Sequence, residues 1–114
     1  MGYDEPQLTT AMWVSAHIRR CLSVGIPAVL VRHGDDHAGT VLIKWNQFSG
    51  GCQVLTPTRD SSGRRIWIRG TGDNAVDEQT ADTYVARQLK NDPDLWVLEI
   101  EDFDGRYELG EPIR

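Results

Sequence analysis

Four stretches between residues 28 and 70 are rich in β-branched and aromatic residues: AVLVRH (28–33), TVLIKWN (40–46), CQVLT (52–56) and RRIWIRG (64–70). Such residues favour extended backbone. The breaks between them are short and carry glycine, as in SGG at 49–51 and the longer TPTRDSSG at 56–63. No helix fits into these breaks. Successive strands joined this tightly return as antiparallel hairpins, because a parallel neighbour needs a crossover of a dozen or more residues. That single spacing constrains the fold more than any other feature of the chain.

Helical periodicity flanks the strand region. Val14, Ile18, Cys21 and Leu22 fall on one face of a segment from 11 to 24, with Met12 and Trp13 beside it. Thr9 or Thr10 can cap its start, and Gly25 followed by Pro27 ends it. A second helix carries Ala81, Tyr84, Val85, Gln88 and Leu89, with Asn74 or Asp77 as its cap, and stops at NDPD, 91–94. LWVLEIE, 95–101, is a fifth strand, and FDGRYEL after it leaves room for a short sixth. The pattern predicts one α+β domain in the order α-β-β-β-β-α-β. Its antiparallel sheet of five strands, six at most, carries both helices on one face. Residues 1–8 read as a flexible leader, 9–109 as the domain and 110–114 as a tail.

Side chains alternate across a strand. This places Val29, Val31, His33, Val41, Ile43, Trp45, Cys52, Val54, Ile66, Ile68, Trp96, Leu98 and Ile100 towards the helices. The other face then collects Arg32, Lys44, Arg65, Trp67, Arg69, Glu99 and Glu101. Charge supports the idea that distant parts of the chain pair. Residues 1–70 carry eight Lys+Arg and five Asp+Glu, while residues 71–114 carry four and twelve, making the total of −5. An acidic balance disfavours binding to a phosphate backbone. No run of the sequence is long and apolar enough for a membrane helix, and the acidic start MGYDEPQLTT does not resemble a secretory signal. Cys21 and Cys52 lie in different elements, outside any zinc spacing, and read as buried thiols. A cytoplasmic location follows.

Three groups of residues invite a functional reading. RHGDDHAGT, 32–40, holds His33, Asp35, Asp36 and His37, which have the atoms to bind a divalent metal. Their crowding on one turn, with Gly34 and Gly39 bracketing the loop, fits the polar tip of a hairpin better. Arg87, Gln88, Asp92 and Asp94 can form a polar corner where the second helix meets the fifth strand. Arg32, Lys44, Arg65, Trp67 and Arg69 supply the residue types that anchor protein interfaces, on a face the helices leave open. GxSxG, the Walker loop and HExxH are absent.

WVSAHIRR, VRHGDDHAGTVLIK, RxWxRGTG at 65–72 and RQLKNDPDLWVLEIED together resemble the small alphaproteobacterial proteins known as domain of unknown function 1491. The resemblance spans nearly the whole chain after the leader, is most specific at DPDLWVLEIED, and does not extend to His33, Asp36 and His37. It implies a stand-alone bacterial cytoplasmic domain and brings no catalytic residues with it. The leading expectation is a non-catalytic module that contacts a protein partner through the Arg/Trp face, without cofactor, as a monomer. The alternatives are a metal-binding protein or metal-dependent hydrolase at 33–37, and a binder of single-stranded nucleic acid.

Overall fold

A computed structural model describes residues 8–114. The expected leader therefore lies outside the described residues except for Leu8. Helix α1 spans Thr10–Ser23, followed by β1 (Ala28–Arg32), β2 (Val41–Asn46), β3 (Cys52–Arg59), β4 (Arg65–Arg69), α2 (Glu78–Asn91) and β5 (Trp96–Glu101). The predicted α+β order holds. Thr9 caps α1 by accepting from Met12 N–H, and Asp77 caps α2 by accepting from Thr80 N–H. Gly25, at a φ of 77°, lets the chain turn out of α1.

The sheet order is β1-β5-β2-β3-β4. It is mixed and not wholly antiparallel, because β5 enters between β1 and β2 and runs parallel to β2. The reason is the α2 crossover. The chain leaves β4 at one side of the sheet, and the helix carries it back across before β5 inserts. No sixth strand forms over 102–108. Instead the C-terminal residues lie along β4: Trp67 N–H donates to Pro112 C=O at 2.8 Å, and Arg114 N–H donates to Trp67 C=O at 2.7 Å. Residues 110–114 are thus part of the domain and not a free tail.

The helices pack on opposite faces, which corrects the expectation of one helix-bearing face. Around α1, Val14 and Cys21 meet Val41, Ile43, Leu55, Trp67, Trp96, Leu98 and Ile100. Around α2, Ala81 and Val85 meet Leu42, Cys52, Val54, Leu95 and Val97. Alternation defines faces within a strand, but pairing register decides how neighbouring strands join. Ile43 sits opposite Leu55, not Val54, and Leu55 sits opposite Arg69. The faces of β3 and β4 are therefore inverted relative to the predicted grouping. With α1 packed on one face and α2 on the other, β5 is covered on both faces, and Trp96–Leu98 is apolar throughout for that reason.

Candidate functional site

The loop of residues 33–40 is not a hairpin tip. Because β5 separates β1 from β2, the loop spans about two strand spacings, near 10 Å, over the start of β5. Asp35 N–H donates to Asp94 C=O at 3.0 Å, Trp96 Nε1–H donates to Asp35 C=O at 2.7 Å, and Trp96 N–H donates to Thr40 C=O at 2.8 Å. A Cβ on Gly34 would sit 2.3 Å from Asp94 O, and one on Gly39 2.6 Å from it. Both glycines are required by this close approach.

The polar side chains of the loop serve its own geometry. Asp35 Oδ2 accepts from the N–H groups of His37 and Ala38, and these bonds hold its carboxyl below the usual range. Asp36 Oδ1 lies 2.6 Å from His33 Nε2, and the His33 ring rests on Trp96. Among the described residues, no three His, Cys, Asp or Glu side chains are grouped so as to hold a metal ion.

The five candidate contact residues do not share a surface. Arg32 is exposed beside β5 and donates to Pro93 C=O. Lys44 is buried beneath α2, with Nζ at 2.7 Å from Glu78, 2.7 Å from Asp82 and 3.4 Å from Glu99. Burial alone would lower its pKa, but Asp82 and Glu78, with Glu99, outweigh it and hold the ammonium above the usual lysine range. Only Arg65, Trp67 and Arg69 remain together, on the α1 face of β4. Trp67 is 0% exposed, so it offers no free indole face for a nucleic-acid base. The polar corner is also dispersed. Asp92 caps the end of α2 and accepts from Asp94 N–H, whereas Arg87 lines a shallow depression with Thr71 and Tyr84.

What tertiary structure assembles instead is a cleft of about 860 Å³ between the start of α1, residues 37–41 and the β3–β4 hairpin. Its walls include Trp13, Thr40, Pro57, Arg59, Arg65 and Glu111. Glu111 accepts from Arg65 Nε and Nη2 and from Trp67 Nε1, each at 2.8 Å. Burial would raise its pKa, but the Arg65 and Trp67 bonds and the Arg65 charge prevail and lower it. The Arg65 guanidinium lies 5.1 Å from the Trp13 ring centroid and 5.6 Å from that of Trp67. This cation–π arrangement restricts the side chain further.

Beneath Trp13 lies a buried polar pair. His17 stacks on Trp13 with centroids 4.6 Å apart, and its Nε2 is 2.6 Å from the Tyr107 hydroxyl. Burial, with Arg20 nearby, lowers the His17 pKa to about 4, so the ring is neutral at neutral pH. Burial raises that of Tyr107. The expected pairing of the two oppositely charged halves of the chain is realised at two places, Lys44 with α2 and β5, and Arg65 with Glu111. The sequence points to Arg65 but not to Trp13, Arg59 or Glu111 as its companions. It carries no local signal that joins residues so far apart.

A family model described as "Protein of unknown function (DUF1491)" matches residues 8–109. The crystal structure of a DUF1491 family protein from Caulobacter crescentus CB15 is 38% identical, with a TM-score of 0.85, over 95% of this chain and 100% of that one. An NMR structure of a DUF1491 family protein from the same organism is 37% identical, with a TM-score of 0.82, over 96% and 99%. A solution structure from A. tumefaciens is 26% identical, with a TM-score of 0.73, over 92% and 91%. No curated protein matches the chain. With the family model covering all but the two ends, and relatives repeating the same fold from end to end, the chain belongs to the DUF1491 family.

Proposed function

We propose that this chain is a non-catalytic, cytoplasmic binding module that holds an acidic segment of a protein partner in the cleft beside the β3–β4 hairpin. The observation that carries this reading is the fixed guanidinium of Arg65. Glu111 holds one edge of it and two indoles flank it, while its Nη1 makes no hydrogen bond to a described residue. A planar donor fork held in this way suits a carboxylate. Exposed Arg59 lies directly across from Arg65 in the strand pair. Like charges opposed across a sheet are unfavourable; Glu111 already neutralises Arg65, and an acidic ligand would supply the counter-charge that Arg59 lacks among the described residues. Trp13 and Pro57 provide apolar wall beside them.

The same electrostatics argue against Glu111 and His17 as proton-transfer groups of the cleft. A general acid or base works best with a pKa near the working pH. The carboxyl of Glu111 is pushed down and away from that range, and His17 is sealed beneath Trp13. Two free, buried cysteines suit the reducing compartment that a cytoplasmic site provides. No helix among the described residues is long and apolar enough to cross a membrane.

The test is an NMR titration with a blocked Glu-Glu-Phe-Glu peptide. The indole N–H signals of Trp13 and Trp67 should move, and those of Trp45 and Trp96 should stay. Arg59→Glu should weaken binding by at least about tenfold, equal to roughly 1.4 kcal/mol, and added salt should weaken it as well. Unmoved indole signals, or binding that survives Arg59→Glu, would refute the reading.

A further inference from the structure

A five-stranded open sheet has two edges, and this one treats them differently. The β4 edge is covered by residues 112–114 through main-chain bonds to Trp67 and a bridge from Ile113. The β1 edge has no strand beyond it among the described residues. Its sequence, Ala-Val-Leu-Val-Arg, carries no charge before Arg32. Val29 is 45% exposed, Leu30 40% and Val31 57%. Natural edges are blunted by lysine, proline, inward charges or bulges. Here Pro27 precedes the strand, and the irregularity falls between Leu30 and Arg32. These devices sit at the two ends of the strand, and Ala28–Leu30 between them is an uncharged edge.

The register decides which groups are unpaired. Glu101 N–H donates to Pro27 C=O, and Val29 lies opposite Glu99, so these residues form the hydrogen-bonded pairs of the β1–β5 ladder. The N–H and C=O groups of Ala28 and Leu30 therefore point away from β5. Unpaired main-chain groups in this arrangement are a template for another strand.

We propose that β1 pairs with β1 of a second copy of this chain, antiparallel, about a two-fold axis at Val29. In that register Ala28 of each copy exchanges both main-chain bonds with Leu30 of the other. Val29 meets the partner's Val29 on the α2 side, and Leu30 packs beside the partner's Ala28 on the α1 side. No like charges are opposed. Glu99, next to Val29 on β5, lies about 14 Å (three strand spacings) from its counterpart, beyond the Debye length of about 8 Å at physiological salt. The pairing is isologous and closes after two copies. The outer edges of the resulting continuous sheet are the β4 edges, already covered, so growth stops there. An unrelated extended segment could use the same hydrogen bonds, but this edge matches itself without any further partner. The proposal is independent of the cleft.

The measurement is mass in solution by light scattering across a wide concentration range. The chain is 12.8 kDa, and twice that mass is expected at the upper end. Val29→Lys and Val29→Glu each place two like charges at the axis. Each should give the single-copy mass with an unchanged circular dichroism spectrum, and an equimolar mixture of the two should recover the doubled mass. Amide exchange provides a readout without substitution, since Ala28 and Leu30 should gain protection as concentration rises. A single-copy mass at all concentrations overturns the proposal. So does a doubled mass that persists in both variants, a mixture that stays single, or concentration-independent exchange at Ala28 and Leu30, the last leaving the edge open to a foreign strand.

Discussion

Replacing Trp67 by alanine separates a core role for this residue from a surface role more sharply than any other change. The indole is 0% exposed, belongs to the α1 core cluster with Val41 and Leu55, and stacks on Trp13 at 5.8 Å between ring centroids. A buried tryptophan removes roughly 150–250 Å² from water, worth about 4–6 kcal/mol at about 25 cal/mol per Å². Measured Trp→Ala losses in cores are about 3–5 kcal/mol. The indole N–H bond to Glu111 is lost too, but Arg65 still donates twice to that carboxylate, so its absence adds little. We expect Trp67→Ala to destabilise the fold by about 4 kcal/mol, a large share of the roughly 5–15 kcal/mol that a domain has in total. In urea, with a slope of about 1–3 kcal/mol per molar, the midpoint should fall by more than about 1 M. Trp67→Phe keeps most of the volume and should lose about half as much. A Trp67→Ala unfolding free energy within about 0.5 kcal/mol of the parent, the range of ordinary surface substitutions, would show that the residue is not in the core. The pairing register of β3 with β4 would then be wrong.

Two further outcomes follow from local geometry. Gly34→Ala forces a Cβ to 2.3 Å from Asp94 O, so its melting temperature should drop sharply, whereas Gly63→Ala meets nothing within 4 Å and should cost only the left-handed backbone penalty of about 1–2 kcal/mol; equal losses in thermal melts would contradict the loop's contact with β5. His17 should make the fold acid-sensitive before the carboxylates titrate. Its folded pKa of about 4 lies below the unfolded value near 6.5, so the unfolded chain binds the extra proton, and stability is intact above 6.5 and declines as pH falls towards 4. The full effect is roughly 3 kcal/mol, and His17→Gln should flatten the urea midpoint between pH 7 and 5; an unchanged slope would mean that His17 is not desolvated.

Local chemistry is legible in the sequence where local chemistry decides the outcome. The caps, the end of α1 at Gly25 and the existence of five strands all depend on residues close in the chain. The family resemblance is legible for the same reason, since DPDLWVLEIED encodes a helix stop and a core strand. The candidate site is legible only in fragments. Arg65 and Trp67 stand out as a pair, but alternation along β4 alone points them towards solvent. Glu111, which completes their arrangement, lies in a segment that reads as a tail.

The missing information concerns register and strand order. Alternation along TVLIKWN is a statement about one strand, and a one-residue change in pairing exchanges its faces relative to the neighbour. Short connections likewise exclude a helix between β1 and β2 but do not require the two strands to touch, and β5 occupies the space between them. The sequence by itself determined which segments are helical, where the helices stop and where five strands lie, but not that β3 runs on to Arg59 through a stretch that reads as a loop. Only the tertiary structure decided that each face has its own helix, that Lys44 and Trp67 are interior, and that Arg65 meets Glu111. Those outcomes depend on contacts between residues far apart in the chain, which form only as the whole core closes.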